Sequence, residues 1–235
     1  MSARRSGVVL AASAVLIAAA GCATSAPVDY GPYLDHMPNS ILVLPPTNQS
    51  VEVDAPYGCL STVTRPLAER GYYVFPVALV DTYMKEQGLP TPAEMHAVPP
   101  SKLREVFGAD AVLYLDVKDW GTRYVVISSQ TSVVVDGRLV DLATGATLWT
   151  GSWVAATSSS QGQSNAMAML VGALVHQIAD TSRDAAHDLA AATSGAWIHD
   201  PKRGMLVGRR HLGFDEDQRT HRAARDAAGV SAGRP

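Results

Sequence analysis

The apolar positions of this chain repeat in two rhythms, and the change between them divides its folded part. Ile41-Leu42-Val43-Leu44 is an unbroken apolar run stopped by Pro45-Pro46, the pattern of a strand buried on both faces. Asp54 then stands as an N-cap with Pro56 in the first turn, where a missing N–H costs nothing. Tyr57, Leu60 and Val63 share one face of the helix that follows; Pro66 should kink or restart it, and Gly71 ends it. Residues 72–76 read as a second strand. Residues 78–87 read as a helix presenting Leu79, Val80, Tyr83 and Met84. Thr91 and Glu94 have capping-box spacing around Pro92, and residues 101–107 form another helical piece closed by Gly108.

From Ala109 the rhythm changes. Residues 111–115 are a third buried run, and Trp120-Gly121-Thr122 reads as a turn. Val125, Ile127, Val133, Val135 and Leu139 then interleave with Ser128, Gln130, Ser132, Asp136 and Arg138, a period of two that predicts a strand with one wet face. Residues 141–145 turn the chain and 147–157 return as the paired strand, with Trp149, Gly151 and Trp153 on one side. A Ser/Gln/Gly linker over 158–165 leads to the longest predicted helix, 166–193, ended by Gly195. The stretch 200–235 mixes eight basic and five acidic residues with almost no apolar period, and is expected to be largely disordered beyond about Phe214.

The amino terminus carries a different signal. Arg4 and Arg5 precede a 14-residue stretch, 7–20, whose only polar side chain is Ser13, and Ala19-Ala20-Gly21 leads to Cys22. This is secretory-signal patterning with small residues at the cut, too short for a span of roughly 20 apolar residues. The segment resembles a bacterial lipobox, which implies lipidation of Cys22 and a mature chain beginning there. Two or three acyl chains, at about 0.8 kcal/mol per buried methylene, would hold it on a membrane. Ala23 at the next position, in place of Asp, implies the outer membrane in a cell with two, facing the periplasm. The expected organisation is a signal peptide over 1–21, a flexible tether over 22–38, an α/β domain over 39–199 and the tail over 200–235.

Charge and cysteine content narrow the chemistry. Removing the first 21 residues takes away two of 19 basic side chains and none of 22 acidic ones, leaving a net charge near −5. An acidic chain with no basic stripe argues against a nucleic-acid partner. With Cys22 acylated, Cys59 has no intramolecular partner and reads as core beside Leu60 and Val63; cysteine-based zinc sites and disulfide frameworks are excluded. Walker, H-E-x-x-H, G-x-S-x-G and C-x-x-C motifs are absent. His176 and His187 are 11 residues apart on the predicted helix, about 16 Å, too far to share a metal. Asp110, Asp116 and Asp119 suit capping and turn roles. Neither cofactor nor metal is expected. Core packing is the first reading for Met167 and Met169 at the start of the long helix and for Trp149 with Trp153; they are candidate partner surfaces otherwise, the tryptophans if they face solvent.

Two stretches carry a resemblance. Residues 108–114 with 140–149 resemble a fold shared by the TolB amino-terminal domain, the curli secretion lipoprotein CsgG and activators of penicillin-binding proteins. Residues 67–80, Trp120-Gly121-Thr122 and 208–211 resemble a family of bacterial outer-membrane lipoproteins of unknown function, with Arg209 where the family pattern has Pro. The resemblance covers about residues 22–211. It implies an α/β fold, a mixed sheet flanked by helices in three layers and closed by a long C-terminal helix, and it carries over no catalytic residues. The expected protein is a non-enzymatic lipid-anchored scaffold or accessory subunit of an envelope assembly, bound to the membrane through Cys22 and to other envelope proteins or lipoproteins, with homo-oligomers left open. Regulation of a peptidoglycan synthase, or binding of a glycan or small ligand, is the alternative.

Overall fold

Thirteen elements order the described residues of the computed structural model, which are 28–125, 128–158, 185–227 and 229. In chain order they are α1 (Gly31–Asp35), β1 (Ser40–Val43), β2 (Thr47–Asn48), α2 (Ala55–Glu69), β3 (Tyr73–Val74), α3 (Val77–Glu86), α4 (Pro92–His96), α5 (Pro100–Phe107), β4 (Ala111–Val125), β5 (Ser128–Asp141), β6 (Thr147–Ser158), α6 (Ala185–Ile198) and α7 (Phe214–Ala227). The six strands form one mixed sheet in the order β3-β1-β4-β5-β6, with β2 also on β4. The short amino-terminal strands pair in parallel and the three long ones as an antiparallel meander.

Both faces of the central strands are apolar, as the unbroken runs required. Ile41, Val43, Leu113, Leu115, Val135 and Leu139 pack on one face against α2 and α6. Leu42, Leu44, Val112, Val140 and Leu142 pack on the other against α3, α4 and α5, through Val80, Met84, Met95 and Leu103. The result is a three-layer α/β fold. The Thr91/Glu94 capping box is present, with Glu94 N–H on Thr91 Oγ1 and Thr91 N–H on the Glu94 carboxylate. Asp54 occupies the N-cap of α2 but makes no side-chain cap bond.

Pro66 neither breaks nor restarts α2, which runs through it to Glu69. A proline removes the N–H that would bond the carbonyl four residues earlier, here that of Thr62. The Ser194 hydroxyl of α6 supplies the missing donor, reaching Thr62 O at 3.0 Å. His199 Nε2 lies 2.8 Å from the carbonyl of Pro66 itself. A neighbouring helix thus repairs the proline turn.

Four further expectations are corrected. Trp120-Gly121-Thr122 is not a turn: β4 continues to Val125 past a bulge between Val117 and Asp119, because β5 pairs with it along that length. The tether does not extend to residue 38. Tyr33 and Leu34 of α1 are buried in the main core, and the Tyr33 hydroxyl meets that of Tyr72 at 2.7 Å. The stretch after Asp200 is ordered to Ala227. Met205, Leu206 and Val207 are buried, the Tyr72 hydroxyl donates to Leu206 O at 2.5 Å, and α7 follows. Since Tyr72 spends its one proton on Leu206, Tyr33 is the donor to Tyr72. That buried hydroxyl chain joins the two ends of the domain. α6 also runs through Gly195 to Ile198; residues 166–184 of the long helix expected there lie outside the described residues.

Candidate functional site

The sheet is covered unequally. α3–α5 shield its second face only as far as His96 and Tyr114, and beyond them the long hairpin strands are open. Register places three rows across these strands: Tyr114, Arg138 and Thr150; then Leu115, Gly137 and Gly151; then Asp116, Asp136 and Ser152. Side chains alternate between faces, so the first and third rows rise as walls. The middle row sends its side chains to the opposite core and leaves backbone as a floor. These residues line a cleft of about 920 Å³, which reaches His96 and Thr47 at one end and Asp29, Trp197, Asp200 and Arg203 around the β6 edge at the other.

The glycines of the floor are dictated by the opposite face. A Cβ on Gly137 would stand 2.7 Å from the Trp197 ring, and one on Gly151 would stand 2.4 Å from that of Trp149. Trp149 and Trp153 are therefore core, 2% and 3% exposed, and not a partner surface. Their indole N–H groups donate to Arg203 O at 2.7 Å and Thr193 Oγ1 at 3.0 Å. Trp197 of α6 stacks on Trp153 and tilts against Trp149, with centroids 5.7 and 5.2 Å away. Pattern reading passed over Trp197; the Gly137/Gly151 register is the signal that needed a third aromatic.

The acidic wall is unevenly satisfied. Asp116 accepts from Thr47 Oγ1 at 2.9 Å, Gln49 Nε2 at 3.0 Å and the Lys118 ammonium. That neutralisation relieves the repulsion expected of like charges directly opposite on neighbouring strands, for Asp136 faces Asp116. One oxygen of Asp136 accepts from Ser152 Oγ at 2.6 Å. On the other wall the Arg138 guanidinium lies 4.7 Å from the Tyr114 ring centroid and is in no ion pair among the described residues. His96 packs edge-on against Tyr114 and bonds Pro45 O at 2.9 Å; burial pushes its pKa below the usual histidine value.

The other sequence candidates fall elsewhere. Cys59 is fully buried under β4, and burial pushes its thiol up to about 12. Asp110 caps the start of β1, accepting from the Asn39 and Ser40 amides and the Ser40 hydroxyl. Asp119 accepts from Ser132 and Arg123. His187 sits 3.1 Å from the Ser61 hydroxyl. Cys22, Met167, Met169 and His176 lie outside the described residues. Among those described, no three His, Cys, Asp or Glu side chains are grouped to hold a metal, and no helix is long and apolar enough to cross a membrane.

A second surface feature was not foreseen as one. Phe75, Pro76, Leu79, Val80, Tyr83, Val106 and Phe107 line an apolar groove of about 290 Å³ between α3 and α5. Leu79 is 68%, Val106 42% and Tyr83 38% exposed. The helical period that marked these side chains could not say that only part of the stripe is covered.

The crystal structure of lipoprotein GNA1162 from Neisseria meningitidis matches this fold with a TM-score of 0.51 and 45% identity, covering 61% of this chain and all of that one. The family model "Putative lipoprotein GNA1162-like" matches residues 28–210, and the chain belongs to that family. It is 41% identical over 215 residues to "Putative lipoprotein NMB1124/NMB1162" of N. meningitidis serogroup B, an alignment spanning 89% of this chain and 97% of that protein. Two of the stretches that carried the family resemblance, 67–80 and 208–211, meet in space. Gly208 donates to Arg70 O at 2.8 Å, and a Cβ on Gly208 would lie 2.6 Å from Gly71 O.

Proposed function

We propose that this protein is a lipid-anchored, non-enzymatic lipoprotein of the outer membrane, facing the periplasm and serving as a scaffold or accessory subunit of an envelope assembly. Family membership and the Ala19-Ala20-Gly21-Cys22 leader support the anchor. The observation that carries the scaffold role is the α3/α5 groove, where Leu79, Tyr83 and Val106 keep apolar surface in solvent beside Tyr73 of the edge strand. Contiguous apolar surface of this kind marks a contact with another protein.

The test places a photocrosslinking residue at Leu79 or Val106 in intact cells, with one at Arg65 on the far layer as control. A discrete envelope-protein adduct from the first two and none from Arg65 is expected. Absence of any discrete adduct at Leu79 and Val106 refutes the scaffold role. Separately, Cys22→Ser should release the protein from outer-membrane fractions, and the wild-type mass should begin at Cys22 with added acyl chains.

A further inference from the structure

We infer that the cleft across β4, β5 and β6 binds a ligand bearing an α-amino-acid head, with ammonium and carboxylate on one carbon. Two residues of one strand carry the argument. Asp136 and Arg138 flank Gly137 on the same face, about 7 Å apart along β5, yet they do not pair with each other. Arg138 is drawn aside onto the Tyr114 ring, with its guanidinium donors turned to no carboxylate among the described residues. Asp136 has one oxygen held by Ser152 and the other without a hydrogen bond among the described residues. Asp116, the other acid of that wall, is already neutralised by Lys118, Thr47 and Gln49. The cleft therefore presents one open cation donor and one open carboxylate acceptor, separated by a strip of bare backbone.

That spacing and polarity select the ligand class. A guanidinium fork takes a carboxylate with two parallel hydrogen bonds, and Asp136 takes the adjacent ammonium. A simple anion would meet Asp136, and a simple cation would meet Arg138; only a dipolar head satisfies both. The concavity argues against a second copy of this chain on the same face, because two such clefts opposed would enclose a void. This inference stands apart from the scaffold reading, which rests on the α3/α5 groove at the other edge of the sheet.

The test is a nitrogen-15 amide titration of the mature chain with alanine, beside N-acetylalanine, which lacks the ammonium, and alaninamide, which lacks the carboxylate. Saturable shifts at Leu115, Gly137 and Gly151 with alanine are expected. Each half-probe should bind at least about tenfold more weakly, the loss of one charge-assisted contact. Arg138→Gln should abolish the preference for alanine over alaninamide and Asp136→Asn that over N-acetylalanine, and Arg65→Gln should change neither. Equal response to all three probes, or no saturable response to alanine, overturns the inference. Shifts at the same amides on concentrating the protein alone would give the face to a second copy, and also overturn it.

Discussion

Cys59 shows how burial sets the chemistry of one side chain. It has no exposed surface, and desolvation holds its thiol at about 12. The thiolate is the nucleophile, and burial both disfavours that form and closes the path to solvent. Iodoacetamide should leave Cys59 unmodified in the native protein and label it in denaturant, as a mass shift will show; native labelling at a comparable rate would mean that α2 opens locally. Trp149 and Trp153 make the complementary point. Their spacing put them on one face of a strand, but whether that face is wet is settled by Trp197, 44 residues beyond Trp153. No local pattern holds that information.

At the scale of elements, the repair of α2 by α6 is the sharpest interaction. Removing the Ser194 hydroxyl leaves Thr62 O buried with no donor, because Pro66 has none to give. An unsatisfied buried polar group costs about 1–3 kcal/mol, and Ser194→Ala should lower the urea unfolding free energy by that amount. Pro66→Ala restores the backbone donor, so adding Ser194→Ala to it should cost clearly less. Additive losses in the double variant would show that the hydroxyl acts elsewhere. The strand through Trp120 belongs to this scale too. Glycine beside tryptophan has the local appearance of a turn, yet β5 opposite makes extension the favourable state, with Trp120 against Gly58 of α2. The capping box, by contrast, was legible in full, since its donors and acceptors lie within four residues.

Across the described domain, its first segment, 30–37, and its last helix, α7, hold each other. α7, beyond the family match, lies against the amino-terminal segment of the domain: Arg225 pairs with both oxygens of Asp35 at 2.7 and 3.2 Å, His221 meets Tyr30 edge-on, and Gln218 approaches Met37. The Arg225 hydrogen bond holds the Asp35 carboxyl below its ordinary range. A carboxylate with a depressed folded pKa contributes above its unfolded value, and that contribution is lost as the pH falls through the folded one. Asp35 keeps about half of its side chain in solvent, which screens the pair, so global stability should change little in Arg225→Ala. Deuterium exchange at residues 214–227 should accelerate instead, with β1 and β4 unaffected, and acid below the ordinary carboxylate range should loosen the wild type in the same way. Equal acceleration in β1 would mean that α7 supports the core rather than the junction.

The alternation of short strands and helices, the two-faced burial of residues 41–44 and the hairpin rhythm after Ser128 were determined by the sequence alone, because each depends on which neighbours within a few positions are apolar. Only the tertiary structure decided the rest. Residues 205–207 become core because Tyr72 reaches them across 134 positions, and α7 is ordered by an amino-terminal segment 190 residues away. The cleft exists because α4 ends its cover at Tyr114 and indoles on the opposite face demand Gly137 and Gly151. Local pattern records what each stretch must bury; which surface stays open depends on what arrives from elsewhere to cover it.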